Sequence, residues 1–160
     1  VDQDIHIRAF HPKEDAEAFV LLNERTFHES IPLDRRPSLE AFRQHHQWLL
    51  SRYLPFDKER ARITVATSDG RDYLGHCWIG VQQDFFTNEA VGWIFDISVL
   101  PNMRGHGIGT LLLEDAREHA RRAGYPSLGL QVMGHNESAK RFYEKHGFGL
   151  TSHAMNLRLS

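Results

Sequence analysis

Gly105, Gly107 and Gly109 fall close together, directly after an apolar run that ends at Val99 and directly before the helical pattern that begins at Ile108. Few backbones satisfy such a sequence. Free N–H groups converge in a turn of this kind, and the N-terminus of the following helix adds partial positive charge. The expectation is an anion site shaped for a pyrophosphate, with glycines letting the backbone approach it closely. A Walker loop is excluded, because Gly109-Thr110-Leu111 stands where Gly-Lys-Ser/Thr is required. A dinucleotide fingerprint is excluded as well: Thr110 occupies its third glycine, and the expected acidic residue downstream is replaced by Gly129-Leu130-Gln131. The plain alternative is a tight turn without a ligand.

The 160 residues suit one hydrophobic core, and the whole chain, 1–160, reads as a single domain. A net charge of -2 argues against a dedicated nucleic-acid binder. No apolar run is long enough to span a bilayer, so no membrane role is expected. Cys77 is the sole cysteine, which fits a reducing compartment, and with no secretory leader in view the expectation is cytoplasmic. The eleven histidines show no zinc-site spacing, and no metal is expected.

Strands are expected at Ile5–Ala9, Arg62–Thr67, Tyr73–Gln82, Ala90–Val99, Ser127–Val132 and Met155–Leu159. Helices are expected from Pro12 to about Phe27, after Ser38, over Ile108–Ala123 and over Glu137–His146. In the strand at 90–99, Val91, Trp93, Phe95, Ile97 and Val99 form one alternating set and Ile94 belongs to the other, which suggests a central strand covered on both faces. The order of elements makes a mixed α/β domain with an antiparallel first half.

Arg104-x-x-Gly107-x-Gly109 resembles the acetyl-CoA-binding motif of the GNAT superfamily of N-acetyltransferases. Asn136-x-x-Ala139-x-x-Phe142-Tyr143-Glu144-Lys145-x-Gly147-Phe148 resembles that superfamily's second conserved region. The two occur in the expected order, and the clear resemblance covers residues 90–150. It implies a GNAT-type fold, a central mixed β-sheet flanked by about four helices. It implies transfer of an acetyl group from acetyl-CoA to a primary amine, by direct attack in a ternary complex without a metal. The alternative is an acyl-CoA-binding sensor or interaction protein that uses the same fold without turnover.

Carried over residue by residue, the resemblance sets the pyrophosphate after Arg104 on the amides of Gly105, His106, Gly107, Ile108, Gly109 and Thr110. The cofactor arm runs like an added strand along Ile97, Ser98 and Val99, which needs the strands 90–99 and 127–132 to splay. A bulge near Asp96 to Ser98 would achieve that. Asn136 would hold the arm, or simply cap its helix. Tyr143 would protonate the departing thiolate, or simply pack beside Phe142. Many family members carry an acidic base where this chain has Gln131, so the base lies elsewhere or is water. Asp96, the lone ionisable side chain between Ala90 and Val99, is the candidate, with a scaffold role as the equal alternative. Cys77 offers a covalent route, although mid-strand cysteines are usually inert. The acceptor is implied to bind along Phe27–Phe56 and Thr151–His153, where Glu24, Glu29 and Asp34 could attract a cation. Its identity stays open, and a homodimer is compatible with the chain.

Overall fold

The computed structural model describes residues 4–53 and 61–159. Its sheet has five strands in the order β1 (His6–Ala9), β2 (Arg62–Thr67), β3 (Gly75–Gln83), β4 (Ala90–Val99) and β5 (Leu128–Leu130). The first four pair antiparallel. β5 joins β4 parallel, after the crossover through α3 (Ile108–Arg122). The helices α1 (Pro12–Ser30) and α2 (Leu39–Tyr53) cover one face of the sheet, while α3 and α4 (Glu137–Lys145) cover the other. The GNAT-type mixed α/β architecture expected from the sequence is the one observed.

The two faces have different cores. On the α3 side, Ile108, Leu112, Leu113, Ala116 and Ala120 pack on Cys77, Ile79 and Ile94, with Phe142, Tyr143 and Phe148 closing over them. The fourfold spacing along α3 that the sequence displays is the buried stripe. On the α1 side, Phe19 and Leu50 pack on Ile63 and Trp78. Phe42 and His46 of α2 are also buried there.

β3 and β4 are held out of simple register. Trp78 pairs with Asp96, but the next residue, Ile79, pairs with Ile94, so Phe95 is an extra residue inserted into β4. A bulge of this kind reverses the alternation downstream of itself. Ile94 therefore faces α3, and after the bulge so do Ile97 and Val99, whereas Phe95 packs with Trp78 on the opposite face. The five-residue alternating set read from the sequence thus does not lie on one face. The bulge sits one residue before the interval expected for it.

Several elements depart from the sequence reading. β3 starts at Gly75, because the Asp72 carboxylate is tied into the preceding turn by Ser68 N (2.8 Å) and Ser68 Oγ (2.6 Å). β5 is confined to Leu128–Leu130, so Gln131 lies outside it and is exposed. Met155–Leu159 is not a strand: it has no neighbouring strand among the described residues, and Met155, Leu157 and Leu159 project into solvent. Alternating hydrophobicity alone does not make a strand without a partner edge.

Deleting Phe95 would leave Ile94 and Asp96 as consecutive partners of Ile79 and Trp78, so Asp96 would keep its face and the variant would lose the Phe95 ring from beside Trp78. Removing a buried phenylalanine side chain costs about 3–5 kcal/mol, so urea unfolding of the deletion variant is expected to show a loss up to that size with a cooperative transition retained. Phe95→Leu, which keeps the register, should lose less than about 1.5 kcal/mol.

Candidate active site

The bulge gives Asp96 its surroundings. The carboxylate is 6% exposed and collects donors from three elements. Asn23 Nδ2 of α1 donates to Oδ2 at 2.6 Å, His76 Nε2 of β3 donates to the same oxygen at 2.6 Å, and Ser98 Oγ donates to Oδ1 at 2.7 Å. The chain continues outward on both sides. His76 Nδ1 lies 2.6 Å from the Tyr73 hydroxyl, and Asn23 Oδ1 lies 2.7 Å from His46 Nε2 of α2. Thr26 Oγ1 lies 2.9 Å from Ser98 Oγ. Asn23, His46, His76, Asp96 and Ser98 are all buried, and a buried charge is tolerated when its oxygens are satisfied in this way.

Beside this network β4 loses its other neighbour. The β4–β5 ladder ends at Ile94 opposite Leu130. From Phe95 to Val99 the outer edge of β4 has no strand alongside among the described residues, which is the splay that an added cofactor arm requires. Of the three residues expected to receive the arm, Ile97 and Val99 turn their side chains to the α3 core and Ser98 turns to Asp96, leaving main-chain groups for the edge.

The glycine turn lies beyond the end of β4. Gly105 and Gly107 have φ of +83° and +78°, a left-handed region that bulky residues avoid, and nothing lies within 4 Å of a Cβ added to either. Gly107 is the N-cap of α3. The first bond of that helix runs from Leu111 N to Gly107 O at 3.1 Å, so the N–H groups ahead of it lie outside the helical ladder. His106 Nδ1 lies 3.0 Å from Arg104 O and 3.2 Å from Met103 O, and Arg104 Nε donates to Val99 O at 3.4 Å; these contacts brace the turn. The remaining three members point elsewhere, Ile108 into the α3 core. An added Cβ on Gly109 would meet Phe142 at 3.4 Å, so this glycine seats α3 against α4, and the Thr110 hydroxyl lies 3.2 Å from His146 Nε2.

Asn136 caps α4, its Oδ1 accepting from Ala139 N at 3.0 Å, while Nδ2 makes no hydrogen bond among the described residues. Tyr143 sits on the α3 side of the sheet, edge-on to Phe142 and Phe148, with ring centroids at 5.2 and 5.6 Å. Burial, and then the negative charge of Asp96, push its phenol well above the usual range, so the hydroxyl keeps its proton. Burial pushes the Cys77 thiol up too, and the side chain lies in the core, so the covalent route is disfavoured.

Two of the three acidic residues near the expected acceptor face are already paired: Glu24 with Arg43 at 3.1 Å and Glu29 with Arg25 at 2.8 Å. A hollow of about 260 Å³ opens between the α1–α2 connection and the segment after β5, lined by Ser30, Ile31, Pro32, Arg35 and Met133. Of the expected acceptor stretch, residues 54–56 lie outside the described residues. No group of three or more His, Cys, Asp or Glu side chains is placed to hold a metal ion among the described residues, and no described helix is long and apolar enough to cross a membrane.

A splayed parallel pair beside a glycine turn that opens a helix is the arrangement that the resemblance to the GNAT superfamily implied. The chain belongs to the acetyltransferase (GNAT) family, whose model matches residues 22–148. It is 30% identical over 146 residues to a mycothiol acetyltransferase of Paenarthrobacter aurescens, an alignment covering 90% of this chain and 42% of that protein. It is 28% identical over 119 residues to the N-acetyltransferase YdgE of Bacillus subtilis, covering 65% of this chain and 74% of that one. The chain therefore spans less than half the length of the mycothiol acetyltransferases it matches. Among solved structures, one described as an acetyl transferase from Pyrococcus furiosus superposes with a TM-score of 0.83 at 27% identity, covering 98% of this chain and 100% of that one.

Burial lowers the pKa of His46 from its ordinary 6.5, outweighing the attraction of Glu24 and Asp96. The unfolded chain then takes up a proton that the native ring refuses, so His46 weakens the fold as pH falls below about 6.5. Urea unfolding of the wild type and of His46→Gln across that range should show the wild type losing stability relative to the variant on the acidic side. A constant difference would mean that the native ring protonates as readily as the unfolded one.

Proposed function

We propose that this chain is an N-acetyltransferase that moves an acetyl group from acetyl-CoA to a primary amine in a ternary complex. The observation that carries the reading is the open outer edge of β4 from Phe95 to Val99, flanked by the glycine turn at one end and reached from opposite faces of the sheet by Tyr143 and by the Asp96 chain. Membership of the GNAT family, which uses acetyl-CoA, supports it.

In this reading the pyrophosphate rests on the amides from Gly105 to Thr110, with Arg104 bracing the turn. The pantetheine arm continues the sheet along Ile97, Ser98 and Val99, and Asn136 Nδ2 is free to bond it. A main-chain N–H of β4 stabilises the oxyanion formed when the amine attacks the thioester carbonyl. Tyr143, protonated and on the α3 side, gives its proton to the departing thiolate. Deprotonation of the amine is organised on the other face by the charge of Asp96. The acceptor enters by the hollow beside Arg35 and Met133, and its primary amine is the part this chemistry specifies.

Acetyl-CoA is expected to raise the Tm, because a ligand of the native state stabilises it by mass action. Gly107→Asn, which tolerates the left-handed conformation, should fold normally. Gly107→Val should lose stability and lose the acetyl-CoA shift; an unaltered shift would sink the placement of the pyrophosphate. Release of free CoA thiol with spermidine, glucosamine and alanine amide tests the transfer itself, and failure of all three would count against a small-amine acceptor. Tyr143→Phe should lower turnover about 10²–10⁴-fold with little change in acetyl-CoA affinity. Unchanged turnover, with chemistry rate-limiting, would leave the tyrosine a packing residue.

A further inference from the structure

The Asp96 carboxylate fixes the direction of every bond in its network, because it can only accept. Asn23 must therefore present Nδ2 to Asp96, which turns its Oδ1 toward His46. That oxygen also only accepts, so His46 carries its proton on Nε2. In the neutral ring Nδ1 is then a bare lone pair. His46 is fully buried, and Nδ1 has no hydrogen-bond partner among the described residues. His76, by contrast, has both ring nitrogens engaged, by Asp96 and by Tyr73. Leaving a buried acceptor unpaired is costly, and native structures keep few such atoms without a use for them.

We infer that His46 is the general base of the transfer, receiving the proton of the acceptor's ammonium at Nδ1, with Asp96 and Asn23 as positioning residues that hold its tautomer. The inference rests on the acetyltransferase reading and names the atom at which deprotonation occurs. The surroundings fit a cation that must shed a proton. Phe42 stacks on the imidazole with centroids 5.7 Å apart, and Phe27 stands edge-on at 6.0 Å. Aromatic faces of this kind attract an ammonium. Phe27 is half-buried, and a turn of its ring is the movement the inference requires for the acceptor to reach Nδ1. The charged and titratable groups around the ring are Asp96 from β4, Glu24 from α1, and His45 on α2 itself. Glu24 is held by Arg43, and the balance leaves the ring neutral and able to accept.

The ammonium R–NH3+ gives one proton to Nδ1, forming an imidazolium whose Nε2–H remains on Asn23 Oδ1. The freed amine lone pair forms the C–N bond at the thioester carbonyl. The C–S bond then breaks, and the thiolate takes the Tyr143 proton. The second proton shed by the nitrogen restores the tyrosine, and the imidazolium releases its proton to solvent once the amide departs.

Two measurements decide the matter. The nitrogen resonances of the wild-type imidazole, read by NMR on the free protein, are expected to show His46 as the Nε2–H tautomer with Nδ1 unprotonated; a proton on Nδ1 would overturn the inference whether or not any amine is turned over. His46→Gln keeps a donor for Asn23 Oδ1 and removes the basic nitrogen. With whichever of spermidine, glucosamine and alanine amide the wild type acetylates, turnover of the variant should fall about 10²–10⁴-fold and lose the acidic limb of its pH profile. The acetyl-CoA shift in Tm should stay intact. A folded His46→Gln protein with full turnover and an unchanged pH profile overturns the role of His46 and leaves the acetyltransferase reading standing. Absence of wild-type turnover with all three amines bears on that reading instead, and the tautomer measurement then decides on His46 alone.

Discussion

A carboxylate removed from water has to be surrounded by donors, and the interior of this protein is arranged around meeting that requirement at Asp96. The donors come from β3, β4 and α1, and the chain of contacts reaches α2. None of them would be in reach if β4 ran through Phe95 in regular alternation. By taking up one extra position in β4, this residue sends Asp96 and Ser98 to the α1 face while Ile97 and Val99 return to the α3 core. The same irregularity marks the point where β5 parts from β4. One inserted residue thus sets the polar layer, the apolar layer and the open edge between them.

The division of the sheet into two unlike faces carries over into chemistry. The α3 side is dry, and Tyr143 and Cys77 both keep their protons there because burial penalises their anions. The α1 side carries a fixed negative charge and a train of oriented dipoles. In the proposed transfer, proton donation and proton removal are thereby separated by the thickness of one strand, so neither group neutralises the other before substrate arrives.

The turn around Gly105 and Gly107 and the helix α3 were legible in the sequence, because each is a local pattern read within a few turns of chain. The network around Asp96 was not. Asn23 is 73 residues away from it and His76 is 20, so only the folded sheet brings them together. A trace of it was nevertheless present. Asn23 and His46 interrupt stripes that are otherwise apolar, Ala16-Phe19-Val20 in α1 and Phe42-Leu49-Leu50 in α2, and a polar group in such a stripe needs a partner across the core. The bulge was foreseen on the grounds of the splay, one residue late. The sixth strand at Met155–Leu159 failed because alternation says which residues would share a face and nothing about whether an edge is there to receive them.

Cys77 is the sole sulfhydryl of the chain, and it lies sealed among Ile79, Ile94 and Leu112 with its proton held. A thiol-reactive dye added to the native protein consequently sees little of the protein itself. In the proposed transfer, colour developing in the presence of acetyl-CoA and an amine would report the liberated cofactor, on an almost silent background. The same dye becomes a counter of open molecules once denaturant is added, since each chain contributes a single reactive group only when its core comes apart. The burial of one small side chain thus makes this protein its own internal standard for turnover and for unfolding.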